Sequence, residues 1–142
     1  MTVEWVPIGR VIERRKDAEP VVADNQYTMI GLLNRGRGLF VRETIRGHET
    51  KYAALSPLME GDLIFSKLFA WEGSVAIVDR GGWVSSEFPT YKIDQRVVDR
   101  NYLAHVIRWD SFVDQLSKST TGLGQRRQRV SPASFEAARI PL

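Results

Sequence analysis

The chain of 142 residues is 43% hydrophobic and 26% charged, with a net charge of +3, which is the balance of a globular domain with a core of its own and not of a disordered tail. No apolar run approaches the ~20 residues of a membrane span, and the N-terminal MTVEWVPIGR has no signal-peptide core, so the cytoplasm is the expected compartment. The absence of cysteine excludes disulfides and thiolate metal sites, two histidines leave little for metal, and the small positive charge points to an anionic partner only where it is concentrated.

Trp5-Val6-Pro7 is expected to be extended, followed by one or two helical turns that seat Ile8, Val11 and Ile12 on the core. Glu13 to Glu19 is charged throughout and stops at Pro20, the pattern of a solvated loop whose Arg14, Arg15 and Lys16 could also meet phosphate. Gln26 to Leu33 and Leu39 to Arg42 read as two strands of a hairpin, joined by Asn34-Arg35-Gly36-Arg37-Gly38. Arg35 and Arg37 alternate with glycines there, so the backbone can approach a phosphate while guanidinium groups fork around it; an exposed turn is the plain alternative. From Glu43 to Met59 the pattern weakens, and Tyr52, Leu55 and Leu58 at helical spacing predict a loop and a short helix.

Glu60 to Asp94 carries the strongest strand signals. Leu63 to Phe69 is a compact apolar run interrupted only by Ser66 and Lys67, Trp71-Glu72-Gly73 supplies a turn, and Val75 to Val78 is a second strand. Gly81-Gly82 marks a reversal before Trp83-Val84, and Phe88 to Ile93 alternates large and polar residues, with Pro89 placing it at a strand start or a sheet edge. The expected result is a meander. Ser66, Lys67, Trp71 and Glu72, at the end of its first strand, are candidates for reading base edges, against the alternative of a solvated lysine and a core tryptophan.

Asp99 is a helix cap before Arg100 to Trp109, whose Tyr102, Leu103, Val106 and Ile107 form a buried stripe, and Asp110 starts a second helix with Phe112, Val113 and Leu116 facing inward. That helix should stop near Lys118, where Ser119-Thr120-Thr121-Gly122-Leu123-Gly124 begins. Gln125-Arg126-Arg127-Gln128-Arg129 follows without an acidic residue, and Ser131-Pro132 caps a short helix through Ala138. A basic, glutamine-bearing segment of this kind suits nucleic acid. Hydroxyls and backbone donors of Thr120, Thr121 and Gly122, with Arg126, Arg127 and Arg129, can hold phosphate, and Gln125 and Gln128 have the amide geometry that reads a base; a merely solvated basic loop is the alternative.

GDLIFSKLFAWEGSVAIV, VSSEFPTYKI, a helical NYL segment and STTGLGQRRQRVSPASFEAARIPL stand in this order, and over most of the chain the arrangement resembles the target recognition domains of type I restriction-modification specificity subunits (HsdS-like). The resemblance implies an α/β (α+β) domain with a curved, mostly antiparallel β-sheet flanked by short helices. It would read one half of a bipartite double-stranded DNA target, have no catalytic residues or cofactor of its own, and direct partner methyltransferase and restriction subunits in phage defence. In that family the terminal Ile-Pro-Leu is usually followed by more proline and a long spacer helix, whereas this sequence ends at Leu142. Residues 1–142 are therefore expected to be one recognition domain, excised from a longer subunit or free-standing, with a second recognition domain or self-association as possible partners.

Two other classes stay open. Glu49-Thr50-Lys51 is an E-x-K triplet with Asp24 upstream, so a metal-dependent nuclease with Asp24 and Glu49 as ligands and Lys51 steering water is conceivable, although no strong strand signal holds the triplet. Ser66-Lys67 is no hydrolytic dyad, because neighbours on a strand point to opposite faces, and Gly36 to Phe40 does not complete a nucleotide-binding fingerprint. The third class is a protein-interaction module of a defence system that reads no DNA.

Overall fold

Leu63, Ile64 and Phe65 have no solvent exposure (0% each), although successive strand residues point to opposite faces, so the strand they form must be covered on both sides. It is, in a mixed α+β fold. The computed structural model describes residues 2–119 and 129–142. The strands are β1 (Trp5–Pro7), β2 (Ile12–Arg14), β3 (Glu19–Pro20), β4 (Gln26–Leu32), β5 (Leu39–Arg46), β6 (Ala54–Pro57), β7 (Leu63–Phe65), β8 (Val75–Ile77), β9 (Trp83–Val84), β10 (Thr90–Ile93) and β11 (Arg139–Pro141). Among the described residues three α-helices accompany them: α1 (Arg100–Val106), α2 (Asp110–Lys118) and α3 (Pro132–Ala137).

One sheet has the order β2-β10-β7-β8, a second β3-β6-β9-β4-β5, and β1 pairs with β11. Among the described residues these strand pairings are antiparallel except β4 with β9. The alternation of side chains divides the core accordingly. Leu63, Phe65, Val75 and Tyr91 face the helices and join Leu103, Phe112, Leu116 and Phe135. Ile64 and Ala76 face the other way and meet Ile30, Leu39, Leu58 and Val84 of the second sheet. Tyr27, Met29 and Leu55 cover that sheet's far face with Trp83. In the first layer the Phe65 and Phe135 rings stack with centroids 4.1 Å apart, and Phe112 meets Phe135 edge-on at 5.9 Å.

The helix ends follow their caps. The Asp99 carboxylate accepts from the Asn101 and Tyr102 backbone N–H groups at 2.7 and 3.2 Å, and Ser131 Oγ accepts from Ser134 N–H at 3.1 Å with Pro132 in the first turn of α3. Gln115 of α2 brackets Arg139, accepting from its N–H at 2.7 Å and donating to its carbonyl at 2.8 Å, which fixes β11 against the helices.

Several sequence expectations are corrected. The central meander divides: β9 leaves the β7–β8 hairpin to pair with β6 and β4, and β10 returns to β7. The single expected sheet is therefore replaced by two larger sheets and one small one. The Leu63 to Phe69 run stops being a strand at Phe65, because Ser66 turns the chain. The turns expected over Ile8 to Ile12 are one 3-10 turn, Ile8–Arg10, followed directly by β2. In place of the helix expected around Tyr52, Leu55 and Leu58 stands β6: Leu55 and Leu58 are buried while Tyr52 is 47% exposed, so the three do not share a helical face. Arg15, expected in a solvated loop, sends Nε and Nη2 to the Asp62 carboxylate at 2.8 and 3.1 Å.

Candidate nucleic-acid interface

The candidate site is built around the turn that follows β7. Ser66 is 3% exposed; its Oγ accepts from Phe69 N–H at 3.2 Å and its carbonyl from Ala70 N–H at 2.8 Å, winding the chain into the 3-10 turn Ala70–Glu72. Trp71 packs on the main core and donates its indole N–H to the Leu68 carbonyl at 2.8 Å. Gly73 ends the turn at φ 82°, in the left-handed region that a glycine adopts freely.

The tip of the β4–β5 hairpin docks on this turn. Arg35 N–H donates to the Glu72 carbonyl and Gly36 N–H to the Gly73 carbonyl, both at 3.0 Å, and Asn34 Nδ2 donates to Glu72 Oε2 at 2.6 Å. The tip is tight enough to place Arg35 itself at φ 59°. Arg35 and Arg37 remain exposed; Arg37 Nε donates to the Asn34 carbonyl at 2.9 Å, whereas the Arg35 guanidinium has no partner among the described residues. A cavity of about 490 Å³ lies between Asn34, Arg35, Arg37 and Glu72. Arg108 packs beneath the tip, where a Cβ on Gly36 would come within 2.9 Å of its Cγ.

The other side of the turn carries Lys67. Its backbone is held from two directions, N–H to the Glu87 carbonyl at 2.9 Å and carbonyl from Val130 N–H at 2.8 Å. Its half-buried side chain has no hydrogen-bond partner among the described residues. Arg129 Nη2 lies 3.3 and 3.1 Å from the two carboxylate oxygens of Glu87, in the segment VSSEFPTYKI.

The structure thus gathers Arg35, Arg37, Ser66, Lys67, Trp71, Glu72 and Arg129 about one turn, with unequal roles. Ser66 is buried, Glu72 is engaged with Asn34, and Trp71 props the turn, so these three shape the surface and leave Arg35, Arg37 and Lys67 to present charge. Thr120, Thr121, Gly122, Gln125, Arg126, Arg127 and Gln128 lie outside the described residues. Sequence reasoning missed Arg42, Arg108 and the aromatic group Phe40, Tyr52, Phe69 and Phe88, which with Arg42 lines a cleft of about 310 Å³ beside the turn. Phe40 and Arg42 sit two apart on β5, a spacing that could have flagged the pair as sharing a face.

The nuclease triplet is differently disposed. Glu49 sits in the 3-10 turn Gly47–Glu49 and its Oε1 accepts from Arg46 N–H at 2.6 Å, while Arg46 Nη1 donates to the backbone carbonyl of Asp24. Glu49 is thereby used in closing the turn, and among the described residues no group of three or more potential ligands could hold a metal ion. Likewise among the described residues, no helix is long and apolar enough to cross a membrane.

No protein-family model and no curated protein matches the chain. Solved structures do. A crystal structure of an HsdS subunit from Thermoanaerobacter tengcongensis superposes with a TM-score of 0.74 at 20% identity, covering 99% of this chain and 37% of that one. A chain from a structure described as underlying complex assembly and conformational transition of the type I R-M system superposes with a TM-score of 0.71, again at 20% identity and with 99% and 37% coverage. The chain therefore has the fold found in HsdS subunits, over a stretch equal to 37% of the length of those solved chains.

Proposed function

We propose that the chain is a sequence-reading DNA-binding domain of the type I specificity-subunit kind, reading one half of a bipartite target while methyltransferase and nuclease chemistry resides in partner subunits. The observation that carries this reading is the docking of the arginine-bearing hairpin on the turn after β7, through Arg35 N–H, Gly36 N–H and the Asn34–Glu72 hydrogen bond, within a fold shared with HsdS subunits. Such an arrangement holds cations on rigid backbone, as base readout requires. Lys67, Arg35 and Arg37 are assigned to the groove. Arg126, Arg127 and Arg129, with Thr120, Thr121 and Gly122, are assigned to phosphate, and Gln125 and Gln128 to base edges. Residues 1–142 act as one recognition domain, and a second such domain, in the same subunit or another copy, reads the other half-site.

The test is duplex binding by fluorescence anisotropy at rising salt. Neutralised phosphates release counterions, so affinity falls steeply with salt, with a slope near −0.9 per phosphate contact. A folded protein that binds no duplex even at low salt contradicts the reading and favours the protein-interaction module. Cleavage of DNA with magnesium or manganese that Glu49→Ala abolishes would favour the nuclease.

A further inference from the structure

Between the turn after β7 and the face of the second sheet lies the cleft of about 310 Å³, bounded by Gly31, Phe40, Arg42, Tyr52, Phe69 and Phe88. Three of its rings are unusually open to solvent for their type, Phe40 at 37%, Phe69 at 46% and Tyr52 at 47%. Clustered exposed aromatics mark binding surfaces, and a concave site of this size is at the small end of ligand cavities, which run ~300–1,000 Å³. Its floor includes Gly31: a Cβ there would fall 2.7 Å from the Phe40 ring and 2.9 Å from Arg42 Cδ, so a larger residue would push both side chains aside.

The rim is polar, with Arg42 as the cation and Glu87 as the anion among the lining residues. The Arg42 guanidinium has no hydrogen-bond partner among the described residues. Ser85 on the wall is 4% exposed, its Oγ accepting from Glu87 N–H at 3.3 Å, and Glu87, also on the wall, is paired with Arg129. Lys67 adjoins through its backbone bond to Glu87. An apolar peptide would gain nothing from the Arg42 guanidinium. A flat, polar-edged ring attached to an anionic backbone matches both the aromatic walls and the charged rim.

We propose that this cleft receives a single nucleobase unstacked from the bound DNA, with the rings of Phe40, Tyr52 and Phe69 as its stacking surfaces and Arg42 facing its hydrogen-bonding edge. This rests on the DNA-reading assignment above and adds to it a specific distortion of the target. Taking a base out of the stack is costly, and the cost is least where the base is already mispaired.

The experiment scans single mismatches through every position of the preferred duplex and measures affinity of the full chain by anisotropy. The expected result is one position at which a mismatch tightens binding about tenfold, because the unpairing cost has been met in advance. Phe69→Ala and Tyr52→Ala should each abolish that gain without changing the salt slope, and Phe69→Tyr should restore it. Both truncated side chains are about half exposed, so melting should find the variants folded. If matched duplex binds normally but no mismatch at any position tightens binding, or if both alanine variants keep the gain, the base site is wrong and the DNA-reading assignment stands. Absence of binding to every duplex removes both.

Discussion

Arg35 and Gly73 meet backbone to backbone: a Cβ on Gly73 would lie 3.2 Å from Arg35 Cα, and both residues hold left-handed φ values, 59° and 82°. For glycine this is free, but for an arginine it is strained, at roughly 1–2 kcal/mol. Strain of this kind persists where the surrounding structure imposes it, here the two backbone hydrogen bonds, with that of Asn34 to Glu72, that fasten the hairpin tip to the turn.

Arg35→Gly should therefore separate stability from binding. Relief of the left-handed strain outweighs the added freedom of the unfolded chain, for a net gain of about 0.5 kcal/mol in urea unfolding. Duplex affinity should fall, because a cation is lost from the proposed interface. A variant that loses stability and keeps its affinity would place Arg35 in the scaffold alone.

The Glu87–Arg129 pair is half exposed, with side-chain exposures of 33% and 40%, so its net worth is small. Glu87→Gln should change unfolding free energy by less than about 1 kcal/mol. By freeing Arg129 it should also raise affinity for all duplexes alike and steepen the salt slope by about 1. A fall in affinity would mean that Arg129 acts only when Glu87 holds it.

Much of the fold was legible because single residues dictated it. Asp99, Ser131-Pro132 and the β-branched run after Gly73 gave their elements directly, and the hairpin at Asn34 to Gly38 followed from its glycines. The division of the strands was not legible: Ile64 and Phe65 are both simply apolar, and nothing in their order says that two different layers cover them. The Tyr52 to Leu58 segment misled because its apolar spacing fits a helix, while the neighbours that pull it into β6 lie in β3 and β9. At the candidate site, Arg35, Arg37 and Lys67 could be picked by charge. The aromatic cleft could not, since its walls come from five separated stretches of chain.

Arg15 and Asp62 stand 47 positions apart, and the Asp62 side chain is 6% exposed. Arg15→Met should cost about 3 kcal/mol by leaving a buried carboxylate unpaired, and adding Asp62→Leu should recover most of it. Because the guanidinium is committed to Asp62, neither variant should alter the salt slope of duplex binding. A slope reduced by about 1 in Arg15→Met would instead put this arginine on phosphate.

Burial, and then the hydrogen bond of Tyr91 OH to Glu136 Oε2 at 2.8 Å, push the ionisation of the Tyr91 phenol well above the ordinary tyrosine range. The folded state keeps the proton where the unfolded chain releases it. The resulting stability is complete below about pH 10 and declines as pH rises further, by about 1.4 kcal/mol per pH unit while the folded phenol stays neutral. Tyr91→Phe should remove this component: the difference in unfolding free energy between wild type and variant is constant below pH 9.5 or so and shrinks above about pH 10. A constant difference up to pH ~11 would contradict the assignment.

The most direct measurement selects a randomised duplex library on wild-type protein and on Lys67→Ala, each confirmed folded by melting. Wild type should enrich one short sequence, and Lys67→Ala should relax preference at a single base position, at a cost of about 1–3 kcal/mol on the preferred duplex. Equal recovery of all sequences by wild type, or recovery of none at low salt, would contradict a DNA-reading domain.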